Sequence, residues 1–403
     1  MPKLKTPPMV YISGEEMTRY TMQLILDGWI TPHVDTCAWE FFDFSCRHRG
    51  ATDDKVVKDA ITAGARIKSI FKEPTITPTR DQAAAMGIKP LGSPNGALRR
   101  GWNGITISRD TTHVPGLALG YKNPVLFDRQ AVGGEYGAQS AYIPEKGKVE
   151  IVYRSEKGEV KTILEREVPA DSMFVIYDNP LDSLEPLAHC FFQRALEAGV
   201  TPYVVTKKTV FKFQEPFWER LKKVFDAHYK EQFAARGLLK ATGGTLAHLI
   251  SDAATMKIET WREGGFAMVA HNYDGDVLTD LVSQIQRSPA FLTSVLTGLA
   301  PDGTIIKEFE ASHGTVSDMD EARLRGESTS LDPLGLVEAL VGAMNWSAEL
   351  AGGRPDITGF TAHLKASMYK VLTDGRGTAD IAGKGKGSTT EQFITEVAKE
   401  MAK

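Results

Sequence analysis

Three short apolar runs, each closed by turn-forming residues, constrain the fold of this chain most. Residues 173–177 (Met-Phe-Val-Ile-Tyr) end in Asp178, Asn179 and Pro180, and the stretch reaching Ala195 and Ala198 has helical composition. Residues 203–205 repeat the pattern. So do residues 266–270, entered through Gly264 and Gly265 and left through Asn272, Asp274 and Gly275. Strands that lead into helices mark a layered α/β architecture. Between the second and third runs, Pro216 precedes Phe217, Leu221, Val224, Phe225 and His228, which share one face of a helix with proline in its first turn. That helix is expected to pack on a sheet and to carry no chemistry. A chain of 403 residues exceeds the ~250–300 at which one core stops growing, so two or three domains are expected.

Residues 148–168 have another texture. Val149, Ile151 and Tyr153 alternate with polar residues, Glu156, Lys157 and Gly158 form a turn, and Val160, Thr162 and Leu164 alternate again. This predicts a hairpin. Two strands alone are marginal in water, so the hairpin needs a partner surface, either another domain or the same hairpin of a second subunit. Residues 375–390 are rich in glycine and lysine, and residues 391–403 read as a closing helix.

Lysine and arginine number 47 against 51 aspartates and glutamates, a net charge of −4. This removes the electrostatic warrant for a nucleic-acid or membrane-surface protein. An anionic partner must be met by a local cluster. No apolar run reaches the ~18 residues of a membrane span, and the polar start has no secretory character. Cys37, Cys46 and Cys190 form no Cys-x-x-Cys pair, so neither a disulfide framework nor a thiolate zinc site is indicated. A reducing compartment, hence the cytoplasm, is expected.

Three segments could carry chemistry. In residues 272–280 (Asn-Tyr-Asp-Gly-Asp-Val-Leu-Thr-Asp), a helix starting near Gly275 would place Asp276 and Asp280 on one face, as ligands of a hard cation such as magnesium or manganese. The alternative is a helix N-terminus favoured by acids through its dipole. Residues 93–100 (Ser-Pro-Asn-Gly-Ala-Leu-Arg-Arg), followed by Arg109 and Arg129, read as a turn whose amides, hydroxyl and guanidinium suit carboxylates, or as a plain surface turn. Residues 310–318 (Glu-Ala-Ser-His-Gly-Thr-Val-Ser-Asp) could bring backbone close to a nucleotide, with an acid accepting from ribose hydroxyls. There is no Gly-x-Gly-x-x-Gly fingerprint and no Walker loop.

Taken in order, eight segments resemble the homodimeric isocitrate dehydrogenases of the eukaryotic type, in the isocitrate/isopropylmalate dehydrogenase family. They are Gly-Glu-Glu-Met-Thr-Arg at 14–19, Ala-Thr-Asp-Asp at 51–54, Thr-Ile-Thr-Pro at 75–78, Ser-Pro-Asn-Gly at 93–96, Gly-Lys-Val-Glu at 147–150, Thr-Lys-Lys-Thr at 206–209, Asn-Tyr-Asp-Gly-Asp at 272–276 and His-Gly-Thr-Val at 313–316. The match runs from about residue 10 to about residue 350, and its collinearity carries the resemblance.

The resemblance implies oxidation of isocitrate by hydride transfer to a nicotinamide, then loss of carbon dioxide and protonation of the enolate. It makes Asp276 and Asp280 metal ligands, for Mg2+ or Mn2+, joined by Asp252 from a second subunit. Arg99, Arg109 and Arg129 would hold the tricarboxylate, with Thr77, Ser93 and Asn95 as hydrogen-bonding companions. Lys207, from the other subunit, matches the general base and Tyr136 the acid, roles that call for depressed pKa values. His313, Gly314, Thr315, Val316, Asp318 and Asp332 would meet the cofactor.

Relatives that use NADP read its 2′-phosphate with an Arg-His pair where this chain has Asp318 and Met319. A carboxylate repels phosphate and accepts from the free ribose hydroxyls of NAD, so NAD is favoured over NADP. The lysine that assists the phosphate in the family falls near Thr260, while Lys257 nearby argues the other way. The family's Arg-His-Ala-Tyr-Gly-Asp appears as residues 129–134 (Arg-Gln-Ala-Val-Gly-Gly), and its Gly-Ser-Leu-Gly loop as residues 287–290 (Arg-Ser-Pro-Ala). These changes keep open a related decarboxylating dehydrogenase for another 2-hydroxy-3-carboxy acid. A catalytically retired regulatory subunit would be expected to lose the metal aspartates or the lysine, and all are present.

The implied fold has a large α/β domain from residues 1–103 and 287–403, a small α/β domain from 104–134 and 182–286, and a β clasp at 135–181 that pairs two subunits. The implied partners are isocitrate or a close analogue and a second copy of the chain.

Overall fold

The computed structural model describes residues 2–383 and 385–403. Its strands, in chain order, begin with β1 (Leu4–Lys5), β2 (Met9–Ser13), β3 (Val34–Asp35), β4 (Trp39–Asp43), β5 (Ser69–Lys72), β6 (Thr106–Thr111), β7 (Val125–Gln130) and β8 (Gln139–Ile143). There follow β9 (Gly147–Arg154), β10 (Val160–Val168), β11 (Ser172–Ile176), β12 (Thr201–Thr206), β13 (Ala247–Ile250), β14 (Phe266–Ala270), β15 (Leu292–Leu299) and β16 (Ile305–Ala311).

Ten of these form one sheet in the order β13-β12-β14-β7-β6-β15-β16-β5-β2-β4. The four strands at one end are mutually parallel, as are the four at the other. Antiparallel pairings through β6 and β15 join the two blocks. Every residue of β7 and β14 is buried, as expected where helices cover both faces of a parallel sheet.

Among the described residues four buried clusters pack on the sheet, and two are the largest. One draws on both ends of the chain, with Met9, Tyr11 and Trp29 packed among Leu340, Met368 and Phe393. The second gathers Phe191, Phe192 and Ala195 of the helix Leu184–Ala198 with Phe217, Leu221 and Phe225 of the helix Glu215–His228. Pro216 sits in the first turn of the latter helix as expected, but His228 is exposed. Here the chain bends into the helix Lys230–Ala235, and Tyr229 takes the inward place.

The hairpin forms as expected. β9 and β10 pair antiparallel around a turn in which Gly158 has φ 84°, a value costly for any side chain. β11 does not join the main sheet. It pairs antiparallel with β8 in a separate two-stranded sheet, and Met173, Val175 and Ile176 face outward, so this apolar run serves an outer surface. The closing helix spans Thr390–Met401 and is capped by Thr389 and Gln392.

Candidate active site

The register across the sheet sets a row of polar side chains on one face. Arg109 on β6 stands opposite Ser294 on β15, which stands opposite Glu310 on β16, which stands opposite Lys72 on β5. Arg129 on β7 lies on the same face, beside the helix Asn272–Gln286. That helix starts three residues before the expected Gly275. Gly275 is instead where the helix meets the sheet, since a Cβ there would lie 2.5 Å from Cβ of Arg129. Glycine therefore lets Asp276 reach the arginines.

The carboxylate of Asp276 is the centre of the constellation. Its Oδ1 accepts from Arg129 at 2.9 Å and Arg109 at 3.2 Å, and Tyr136 donates its hydroxyl to Oδ2. Arg129 also donates to the Asn272 carbonyl at 3.1 Å and side chain at 3.3 Å. Arg109 reaches Thr279 Oγ1 at 2.9 Å and Asp280, at the lip, at 3.4 Å. The guanidiniums of Arg99 and Arg129 lie 5.7 and 5.8 Å from the Tyr136 ring centroid.

Charge crowding shows in the ionisation of these groups. Burial pushes the Arg129 pKa down to about 9, and Arg109 and Arg99 add to the effect. Burial pushes Asp276 up, but the Arg129 and Arg109 charges outweigh it and hold the carboxyl below its ordinary value. Tyr136 is shifted opposite to the expected depression, because burial and then Asp276 raise its pKa. The Nε atoms of Arg109 and Arg129 are buried without a partner. These are unspent donors beside a site suited to anions.

These groups line a cleft of about 1010 Å³ together with Ser93, Asn95, His313 and Gly314. The Ser-Pro-Asn-Gly stretch is not a free turn. Ser93 caps the helix Pro94–Gly101 by accepting from Gly96 N–H, and Asn95 accepts from Thr75 Oγ1 at 3.3 Å. Lys72 and Glu310 also line the wall, paired at 2.5 Å. Sequence reasoning gave them no role; Lys72, which closes the buried strand Ser69–Lys72, was a usable signal.

Residues 8–397 match the profile of the isocitrate/isopropylmalate dehydrogenases. The chain belongs to this family. The NAD(+) isocitrate dehydrogenase of Ostreococcus tauri, described as mitochondrial, is 56% identical over 99% of this chain and 86% of its own length. That of Phaeodactylum tricornutum, also described as mitochondrial, is 54% identical over 98% of this chain and 74% of its own length. The crystal structure of isocitrate dehydrogenase from Ostreococcus tauri in complex with isocitrate and magnesium(II) superposes with a TM-score of 0.93. It is 55% identical and covers 99% of this chain and 100% of that one. A mitochondrial NADP enzyme of Aspergillus niger is more distant, at 31% identity over 98% of this chain and 78% of its own length.

The mitochondrial relatives overturn the cytoplasmic expectation. Unpaired cysteines report the redox state of a compartment, which does not single out the cytoplasm.

The other family positions distribute unevenly. Asp280 is at the lip, and Thr77 is exposed beyond the cleft wall. Lys207 and Asp252 contact one another and do not line the cleft. Thr315 lies behind His313 and Gly314 and donates to Glu16 at 2.5 Å. Val316 adopts φ 58°, a strained value for a β-branched residue, and Asp318 is exposed in the first turn of the following helix. Asp332 is buried, with one carboxyl oxygen accepting from Leu334 N–H and the other unpartnered. Burial and then the charge of Asp380 push its pKa up to about 7.

The departures from the family pattern divide: Val132 and Gly133 line the cleft, whereas Gln130 and Arg287 turn away from it. Gln130 is buried and donates to the Pro180 carbonyl and Ser183 hydroxyl at 2.6 and 3.0 Å. Arg287 donates to the carbonyls of Asp380 at 2.9 Å and Ile381 at 2.7 Å. Pro289 opens a short 3-10 turn, and its carbonyl accepts from Ser312.

Proposed function

We propose that this protein oxidatively decarboxylates isocitrate to 2-oxoglutarate and carbon dioxide, with NAD as hydride acceptor and a divalent metal, as a homodimer. The observation that carries the reading is the convergence of Arg109 and Arg129 on the Asp276 carboxylate, with the Tyr136 hydroxyl on the same carboxylate and Arg99 beside the Tyr136 ring. Three guanidiniums match the charge of a tricarboxylate, and Asp276 and Asp280 offset their mutual repulsion only in part, so a strongly anionic ligand is favoured there. The relatives named as NAD(+) enzymes support the choice of cofactor.

The residues fit a hard divalent cation. Asp276 and Asp280 offer carboxylate oxygens four residues apart on one helix, the donor type that Mg2+ and Mn2+ prefer. Among the described residues, no group of three metal-ligating side chains converges within one chain, and Asp252 of a second copy would complete the set. When bound, such an ion polarises the substrate hydroxyl and adjacent carboxylate and stabilises the enolate.

The chain's own groups bind, orient and move protons. Arg99, Arg109 and Arg129 would grip the carboxylates, with Ser93, Asn95 and Thr77 donating hydrogen bonds. Lys207 would take the hydroxyl proton, and Tyr136 would return one to carbon. His313 to Val316, Asp318 and Asp332 would line the cofactor's approach, where Asp318 favours a ribose with free hydroxyls.

The proposed domains are 1–103 with 287–403, 104–134 with 182–286, and the clasp 135–181. Dimerisation through the clasp is supported by its outward apolar side chains, with Tyr142 58%, Ile163 57% and Met173 62% exposed. Two-stranded sheets with such faces need cover.

The test is initial-rate kinetics with isocitrate and Mg2+, comparing kcat/KM for NAD and NADP. A clear preference for NADP sinks the cofactor assignment, and a folded dimer without isocitrate turnover sinks the activity.

A further inference from the structure

If the cleft binds isocitrate, the two hydrogen-bonding sets proposed for that ligand, one in the wall and one just beyond it, stand at opposite ends of one excursion of the chain. Thr77 is near its start, and Ser93 and Asn95 are at its close. The intervening residues carry one short helix, Arg80–Ala85, and most of their side chains are exposed. A segment with so few buried contacts does not hold its own ends in place.

Arg49 does so. Its side chain is buried beneath the excursion at 1% exposure. One guanidinium nitrogen donates to the Ile76 carbonyl at 3.3 Å, and another to the Gly92 carbonyl at 2.8 Å. The charge is met by Asp54 through bonds of 2.8 and 3.3 Å. Ile76 directly precedes Thr77, and Gly92 directly precedes Ser93. A planar fork of five donors makes all four of these bonds, to both carboxylate oxygens and two separate carbonyls, one more than the three hydrogens of an ammonium allow. Arg49 lies on the short helix Cys46–Ala51, and the neighbouring Gly50 lets that helix seat against the middle of the excursion, since a Cβ there would lie 2.6 Å from Ile88 Cγ2.

We propose that Arg49 is a positioning residue for substrate binding. It clamps both ends of the excursion and so sets the distance between Thr77 and the Ser93–Asn95 pair. The proposal rests on the isocitrate reading above. Arg49 does not line the cleft and takes no part in the chemistry.

The test uses the full-length dimer and the variants Arg49→Lys and Asp54→Asn. Two readouts are followed: isocitrate kinetics with Mg2+ and NAD, and the rate of trypsin cleavage after the exposed Arg80. Arg49→Lys should raise the isocitrate KM on the order of tenfold, with kcat within about threefold of the parent. It should speed cleavage after Arg80 by a similar factor relative to other exposed sites. Asp54→Asn keeps both carbonyl bonds and should shift both readouts less, in the same direction, and it decides the matter if Arg49→Lys fails to fold. Unchanged isocitrate KM and Arg80 cleavage in a folded variant overturn the proposal. So does a proportional fall in kcat and kcat/KM that follows the folded fraction. If the parent does not turn over isocitrate, the functional reading fails, and unaccelerated Arg80 cleavage overturns the clamp separately.

Discussion

Lys207 and Asp252 pair with one another within a single chain, at the outer surface rather than in the cleft that holds Asp276. If Lys207 is the proposed base and Asp252 the proposed metal ligand, groups so placed would serve the cleft of another copy. Mixing folded Lys207→Met and Asp276→Asn variants, each inactive alone, should then restore activity. Each mixed dimer has one site with both groups intact, so random exchange should recover about a quarter of the parental rate. Recovery of none, in a mixture shown to exchange subunits, would rule out a shared site.

Removal of metal should be visible without turnover. Isocitrate and Mg2+ together should raise the melting temperature, by the equivalent of about 2.7 kcal/mol when present at a hundred times their dissociation constant. A chelator should remove most of this shift, and Asp280→Asn should lose the metal-dependent part. A full Mg2+-dependent shift in Asp280→Asn would mean that the lip carboxylate is not a ligand.

Gly275 lets its helix sit against Arg129, with room for no side chain between them. Gly275→Ala should push the helix away, cost about 1–3 kcal/mol of stability as overpacking does, and raise the isocitrate KM. Denaturant titration with steady-state kinetics checks both. A fully stable variant with parental KM would show that the approach is not needed.

Glu73 is buried beneath Gly14. Burial pushes its pKa up to about 7, even though it accepts from Tyr11 at 2.5 Å and Gly14 at 2.7 Å. A carboxyl raised in the folded state contributes fully below its unfolded value of 4.5, and that stability is lost as pH climbs through 7. The loss amounts to roughly 3 kcal/mol at most. Glu73→Gln mimics the protonated form, so urea unfolding should find it more stable than the parent at pH 8 and nearly equal at pH 5. Equal pH slopes in the two proteins would refute this.

The layered architecture and the hairpin were legible in the sequence because both depend on local periodicity. The residues 266–270 run is wholly buried in β14, and the alternation at 148–168 became β9 and β10. Periodicity did not tell an interior strand from a surface one, and β11 shows why. Its apolar run is what a buried strand requires, yet Met173, Val175 and Ile176 are exposed. Asp276 and Asp280 were singled out by helical spacing, and Arg99, Arg109 and Arg129 by the turn at 93–100 and the arginines after it, with the family pattern adding their roles. Lys72, Glu310 and Arg49 escaped because their roles come from register and loop closure across strands far apart in sequence. No motif spacing encodes such proximity.

One bond reaches across nearly the whole chain. Trp29 donates its indole N–H to the Ile394 carbonyl at 2.8 Å, over a separation of 365 residues. On a ribosome adding about 5–20 residues per second, Trp29 emerges roughly 20–70 seconds before its partner exists. Met9, Tyr11 and Trp29 must wait that long for Leu340 and Phe393. This lobe therefore completes only once residues 393 and 394 have emerged, and its first strands are the part of the nascent chain most in need of a chaperone. Chains stalled near residue 380 should remain open to protease throughout residues 9–44, and protection there would show that the N-terminal strands find shelter earlier.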